Sequence, residues 1–309
     1  MVKDRQIDWV ALQQGIDKDG FFVVRSFLDI NSIEQDDVRE LQINDRNHSG
    51  AIQQIPVNLR KFLTSLFRPL LTNFRKNLNL HLSSEFAFCA IRVSKTDENR
   101  QLNIPFNYHT DPVVDNSGAL NWHLDHYSYY LHKDHRNYLI CYIPIVKSDP
   151  KLSNVAIVPK SVLRRKDPLS AKRISKRGAC RFRQVEEDTI EWFNQRFPTE
   201  TVQIGDWFAI DDFKDDSPGW KCDIDFEKDK TVPCLNAGDL LIMTADLIHK
   251  TNDAAIDRIS IRCDLQPASL LRRVHVFWQV FLRLRLLFGS RKAAYNLKKI
   301  SWLTHFHHD

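Results

Sequence analysis

Asn121-Trp-His-Leu-Asp-His-Tyr-Ser-Tyr-Tyr130 sets His123 and Asp125 two residues apart in a run rich in strand-forming aromatics. Side chains alternate along a strand, so an imidazole and a carboxylate at this spacing point to one face. Together they can take two adjacent positions on a metal that accepts nitrogen and oxygen, with a third ligand drawn from elsewhere in the chain. His249 is the candidate. It lies in Asn236-Ala-Gly-Asp-Leu-Leu-Ile-Met-Thr-Ala-Asp-Leu-Ile-His-Lys-Thr-Asn252, where a turn signal at Gly238-Asp239 feeds an apolar strand ending near the histidine. A rival pair, His109 and Asp111, is followed at once by Pro112, which forces a turn, so His123 and Asp125 are preferred.

Nine residues past His249 comes Arg258-Ile-Ser260. On a strand, Arg258 and Ser260 share a face, and a guanidinium fork beside a hydroxyl suits a carboxylate. Two histidines and one carboxylate on one face of a metal, with the remaining positions open, is the arrangement of non-haem Fe(II) oxygenases.

Three more stretches extend the pattern: Asp17-Lys-Asp-Gly-Phe-Phe-Val-Val-Arg-Ser-Phe-Leu28, Tyr138-Leu-Ile-Cys-Tyr-Ile-Pro-Ile-Val146, and Val158-Pro-Lys-Ser161 closing the next strand. With them the chain resembles the Fe(II)- and 2-oxoglutarate-dependent dioxygenases, most closely the phytanoyl-CoA dioxygenase-like branch, over most of residues 15 to 266. The resemblance implies a mainly β fold with flanking helices around a double-stranded β-helix, the jelly-roll or cupin-like core. It implies Fe(II) held by His123, Asp125 and His249, 2-oxoglutarate anchored by Arg258 and Ser260, and O2 as oxidant, with succinate and CO2 as co-products. In related halogenases the carboxylate is replaced by a small residue so that chloride can bind. Asp125 therefore implies hydroxylation, or a desaturation or epimerisation that begins the same way.

Other roles stay open. Tyr138 and Tyr142 either bond the co-substrate or pack in the core. Arg262 shares the face of Arg258 and meets either an acidic substrate group or a structural ion-pair partner. Asn252 is expected to order the turn after His249.

The 309 residues, 43% of them hydrophobic, suffice for one elaborated β domain over 1–266, carrying an insertion at 162–237 and followed by a tail at 267–309. A net charge of +5 is too modest for wholesale nucleic-acid binding, and no platform of interleaved aromatics for single strands is visible. Six cysteines without a CxxC spacing suggest reduced, intracellular usage. The charged N-terminus lacks an apolar signal region, so a cytoplasmic site is expected.

Along the chain, a helix is expected over 8–16, a strand over 21–27 and helical character over 29–41. Leu59, Phe62, Leu63, Leu66, Phe67, Leu70 and Phe74 then recur at helical spacing, with Pro69 as a kink point. Strands are expected at 86–93 and 138–146. The insertion is basic early, from Arg164 to Arg183, and acidic later, from Asp211 to Asp229. It reads either as mutually attracting solvated loops or as a basic lid for a phosphate- or carboxylate-bearing substrate. In the tail, Leu270, Val274, Phe277, Phe281, Leu284 and Phe288 form an apolar stripe beside basic residues. That helix lies peripherally on a membrane through 268–290, or packs on the domain or a second subunit; its apolar run is too short to span.

The leading reading is a hydroxylase of a small or lipid-linked anionic molecule. The alternatives are a non-catalytic scaffold on the same fold and an oxygenase acting on a macromolecule.

Overall fold

The computed structural model describes residues 7–43, 52–82, 88–93, 122–124, 138–177, 180–210, 219–253 and 255–267. The helices are α1 (Trp9–Asp19), α2 (Gln35–Ile43), α3 (Val57–Leu78), α4 (Lys160–Lys166), α5 (Pro168–Arg177), α6 (Ile190–Arg196) and α7 (Phe226–Asp229). The strands are β1 (Phe21–Val24), β2 (Ile52–Gln54), β3 (Leu80–Leu82), β4 (Cys89–Val93), β5 (Leu139–Lys147), β6 (Val155–Ile157), β7 (Arg181–Gln184), β8 (Trp207–Ile210), β9 (Trp220–Cys222), β10 (Leu240–Thr244), β11 (His249–Thr251) and β12 (Arg258–Pro267).

Seven strands form one antiparallel sheet in the order β1-β10-β5-β12-β4-β2, with β3 paired to the far end of β12. Its outer face is backed by helices. Ile259, Ile261, Cys263 and Leu265 of β12 and Leu139, Cys141, Ile143 and Ile145 of β5 share a core with Leu12 of α1, Leu41 of α2 and the buried stripe of α3. That stripe is Leu59, Leu63, Leu66, Phe67, Leu70 and Phe74, and the helix runs through Pro69 without interruption.

The second sheet is assembled around a very short segment. Residues 122–124 lie between β7 and β11, since His123 bridges both Arg181 and His249. Leu124 N–H donates to the Cys180 carbonyl and Phe182 N–H to that of Trp122, each at 2.9 Å. The order is therefore β9-β8-β7, then 122–124, then β11-β6, with Thr231 bridging Ile157 at the far edge. Its inner face meets the first sheet: Val155 and Ile157 pack with Leu241, Met243, Val23 and Tyr142. Its outer face is a separate core of Trp122, Leu124, Ile248, Phe182, Trp220, Phe226 and Leu163.

Several boundaries differ from those read in the sequence. Ser161 stands in helix α4 rather than closing a strand. Pro159 explains this: it brings no N–H to a ladder, and its φ of −59° suits a helix entry. His249 opens β11 instead of ending the strand that follows Gly238, because residues 245–248 turn the chain from one sheet to the other. The insertion folds into helices and strands, and β7–β9 continue the sheet beside His123. The tail at 268–309, Asp125, and the rival His109 and Asp111 lie outside the described residues.

The turn before β10 depends on glycine. Gly238 has φ +87°, and a Cβ there would stand 2.2 Å from the Leu28 carbonyl oxygen. Beside it, Asp239 accepts from Ser26 N–H at 2.7 Å, Asn236 N–H at 2.9 Å and Arg25 at 2.8 Å. Burial alone would raise the pKa of this carboxyl, but those donors outweigh it and hold the group below its usual range.

Candidate metal and anion site

His123 and His249 are directly opposed across neighbouring antiparallel strands, exchanging backbone hydrogen bonds of 3.0 and 3.1 Å. Opposed residues of a ladder share a face, so both follow Ile157, the register partner of His249, toward the first sheet. The imidazoles are 7% and 4% exposed, with ring centroids 4.3 Å apart. His249 Nδ1 lies 2.9 Å from the Leu247 carbonyl oxygen. A carbonyl can only accept, so Nδ1 carries the proton and the Nε2 lone pair is left for a ligand.

Local sequence explains the presentation of His123. Trp122 and Leu124 flank it and both sink into the outer core, which leaves the histidine on the inner face. Trp122 is itself tethered: its Nε1 donates to Glu227 at 2.8 Å, and Lys250 lies over its ring at 5.2 Å while also pairing with Glu227 at 2.6 Å. Burial would raise the pKa of Glu227, but bonds from Lys230, Lys250 and Trp122 lower it overall. Among the described residues no group of three or more histidine, cysteine, aspartate or glutamate side chains forms a metal site. The carboxylate expected to join the pair is Asp125.

The facing strand carries the cations. Since Ile259 and Ile261 enter the helix-backed core, Arg258, Ser260, Arg262 and Asp264 line the inner face, all of them buried. Arg258 donates to the Ser153 carbonyl at 2.5 Å, and its buried Nε has no hydrogen-bond partner. Burial lowers its pKa to about 10, so it stays a cation at neutral pH. The Ser153 loop is braced by Asp253, whose Oδ1 accepts from Ser153 N–H at 2.7 Å. Asn252 serves the same turn, donating to Asp253 at 3.0 Å and, through its backbone, to the Asn154 carbonyl at 2.8 Å.

Lys147 is the residue that sequence reading missed. It is the register partner of Arg258, and among the described residues its Nζ donates to neutral oxygens: Leu235 at 2.9 Å, Pro150 at 3.3 Å and the Asn154 side chain. Simple alternation along β5 from Tyr138 would turn it outward. A bulge reverses this. Ile259 pairs with Val146 and Ser260 with Pro144, so Ile145 is the extra residue. Ile145 and Val146 then both pack toward the helices, and Lys147 comes back to the inner face.

The remaining candidates form a network of their own. Arg262 pairs with Asp264 through Nε at 2.8 Å and through a second nitrogen at 2.9 Å, and the same carboxylate accepts from Tyr138 Oη at 2.8 Å. Arg262 also reaches Tyr142, with 3.4 Å to the hydroxyl and 5.7 Å to the ring centre.

No family model matches the chain, and no curated protein matches it in sequence. Slight likenesses to solved structures exist. HygX from Streptomyces hygroscopicus with nickel and 2-oxoglutarate bound is 12% identical, with 84% of this chain and 87% of that one covered at a TM-score of 0.41. The epimerase SnoN in complex with Fe3+, alpha ketoglutarate and nogalamycin RO is 13% identical, with coverage of 84% and 83% and a TM-score of 0.42. EvdO2 from Micromonospora carbonacea var. aurantiaca is 12% identical, with coverage of 87% and 94% and a TM-score of 0.43. Likeness this slight decides nothing about chemistry, and the function is read from this chain's own residues.

Within the insertion, some charged groups meet partners of the insertion itself. Lys166 pairs with Asp229 at 2.5 Å, and Asp167 accepts from the backbone N–H groups of Ser170 and Asp223 at 2.8 and 2.9 Å. Arg173 lies over the Trp220 ring at 5.7 Å. No helix of the described residues is long and apolar enough to cross a membrane. No disulfide joins the described cysteines.

Proposed function

We propose that the chain is an Fe(II)- and 2-oxoglutarate-dependent oxygenase on a double-stranded β-helix, of the phytanoyl-CoA dioxygenase-like kind, hydroxylating an unactivated C–H bond of a small or lipid-linked anionic substrate. One observation carries the reading. Two buried, cross-strand histidines on the second sheet face the first, where Arg258 and Lys147 stand side by side and donate to neutral oxygens. Among the described residues Asp253 and Asp149 act on the pair without bonding it, so its hydrogen-bonding capacity toward a carboxylate is open to a ligand.

His123 and His249, with Asp125, would hold the iron. Bound ferrous iron and 2-oxoglutarate supply the oxidising chemistry, using O2 and releasing succinate and CO2. The chain's own work is positional. Leu247 fixes the tautomer of His249 so that Nε2 is presented. Arg258 and Lys147, with Ser260 on the same face, take the far carboxylate of the co-substrate, and the inter-sheet core of Ile157, Leu241 and Met243 keeps water away from the site. Arg262 and Tyr138, joined through Asp264, stiffen the wall, and Tyr142 links that wall to the inter-sheet core.

Anaerobic titration of metal-free protein with Fe(II) and 2-oxoglutarate tests the proposal through the weak visible charge-transfer band of a chelated keto acid. The band should form in wild type, vanish in His249→Ala, and need about a hundredfold more 2-oxoglutarate in Arg258→Ala, the loss of a buried charge-assisted pair. A wild-type protein that binds Fe(II) yet forms no band would instead support a scaffold without turnover.

A further inference from the structure

Trp122 and Lys250 stand on the reverse side of the histidine pair. Because His123 and His249 are opposed on antiparallel strands, the residue before the one and the residue after the other are opposed as well, and alternation turns both to the outer face. One carboxylate joins them there. Glu227 Oε1 accepts from Trp122 Nε1 at 2.8 Å and from Lys250 Nζ at 2.6 Å. Its other oxygen, Oε2, accepts from Lys230 at 2.8 Å. Lys250 closes the triangle, with its ammonium 5.2 Å from the centre of the Trp122 ring.

The carboxylate reaches this point on a short element tied at both ends. Asp225 caps α7, accepting from the N–H groups of Glu227 at 3.1 Å and Lys228 at 3.2 Å. Phe226 is fully buried and packs on the rings of Trp207 at 4.9 Å, Phe182 at 5.0 Å and Trp122 at 5.8 Å. Past the helix, Thr231 exchanges backbone bonds of 2.7 and 2.9 Å with Ile157. The segment 225–231 therefore straps across the outer face, from β6 over β11 to Trp122.

The ladder under this strap is short. Among the described residues, 122–124 is joined to β11 by the two bonds that His123 and His249 exchange. A charge-assisted link one residue along resists sliding and splaying of the two strands. Side chains on the two faces of a strand move with the backbone that carries both, so holding Trp122 to Lys250 also holds His123 to His249, whose ring centroids are 4.3 Å apart.

We propose that Glu227 is a positioning residue for the histidine pair, a clip on the far side of the sheet that sets the separation at which the two imidazoles are offered to a metal. The inference rests on the reading of His123 and His249 as metal ligands.

Titration of full-length, metal-free protein with Co(II), followed by its ligand-field spectrum, tests the clip. Wild type should bind and His249→Ala should not. Glu227→Ala should bind about tenfold more weakly and with altered bands, while Glu227→Gln, which keeps an acceptor for Trp122, should recover most of the affinity. Trp122→Phe, which loses the donor and keeps a ring, should weaken binding a few-fold and add nothing to Glu227→Ala. Lys230→Met removes a partner of Glu227 that belongs to neither histidine strand, and should bind as wild type does. A wild type that binds no Co(II) would overturn the metal reading and the clip with it. If wild type binds and Glu227→Ala matches it in affinity and spectrum, the clip alone is overturned, as it is by a loss in Lys230→Met equal to that in Glu227→Ala.

Discussion

Lys147 shows how much one side chain's surroundings decide. Burial, with Arg258 next in effect, lowers its pKa from 10.5 to about 8. Because the folded value is the lower one, the unfolded chain binds more protons between about 8 and 10.5. The ligand-free protein should therefore gain stability as pH rises through that window. Co-substrate binding should run the other way. A carboxylate beside Lys147 favours its charged form, so affinity for 2-oxoglutarate should fall as pH rises through about 8. Lys147→Met should weaken binding at neutral pH and flatten that dependence; an affinity that ignores pH in wild type would remove Lys147 from the site. The histidines, Arg258 and Ser260 could be picked out of the chain because residue type and spacing carry their chemistry. Lys147 could not, since its face depends on a bulge that leaves no mark in composition.

Among the elements, α3 was the most legible. Its apolar residues keep one face for 22 residues, and that face is the one buried. Phe74, fully buried and edge-on to Trp9 at 5.1 Å, anchors its end. Phe74→Ala should cost about 3–5 kcal/mol in chemical denaturation, and Arg68→Ala on the exposed face less than about 0.5 kcal/mol. Equal costs would mean that α3 is not held through this stripe. Strand β8 was illegible for the opposite reason. Trp207-Phe-Ala-Ile210 is buried on both faces, so it shows neither alternation nor helical period. Its Trp207 and Ala209 enter the core behind the second sheet, while Phe208 and Ile210 enter a cluster with Phe193 and Phe197.

For the whole molecule, the insertion is a buttress. By adding β7–β9 it places the segment of His123 inside a sheet instead of at its edge, with hydrogen bonds to both neighbours. Phe182 ties the two parts together, since its N–H donates to Trp122 and its ring packs edge-on to Phe226 at 5.0 Å. Phe182→Ala should thus do more than lower stability by about 3–5 kcal/mol. It should also weaken Co(II) binding by the folded protein, read from the ligand-field spectrum, whereas Phe74→Ala should leave the spectrum unchanged. Equal metal affinity in both variants would separate the insertion from the site. Opposite charges in the insertion do attract, as at Lys166 and Asp229, but exposed pairs contribute only about 0–1 kcal/mol. The apolar contacts of β7–β9 hold it in place.

The bulge at Ile145 makes chain length, rather than residue choice, the determinant of the anion site. Shortening β5 by that single residue would leave its amino acids otherwise intact and return the strand to strict alternation. Val146 would still lie opposite Ile259 under the helices and Lys147 opposite Arg258 on the inner face, because the register already passes over Ile145. Among relatives of this protein, a gap at Ile145 itself would therefore be silent, whereas a residue gained or lost elsewhere in β5 with the bulge kept would trade the two sides of the sheet at the point where a ligand's charge is met.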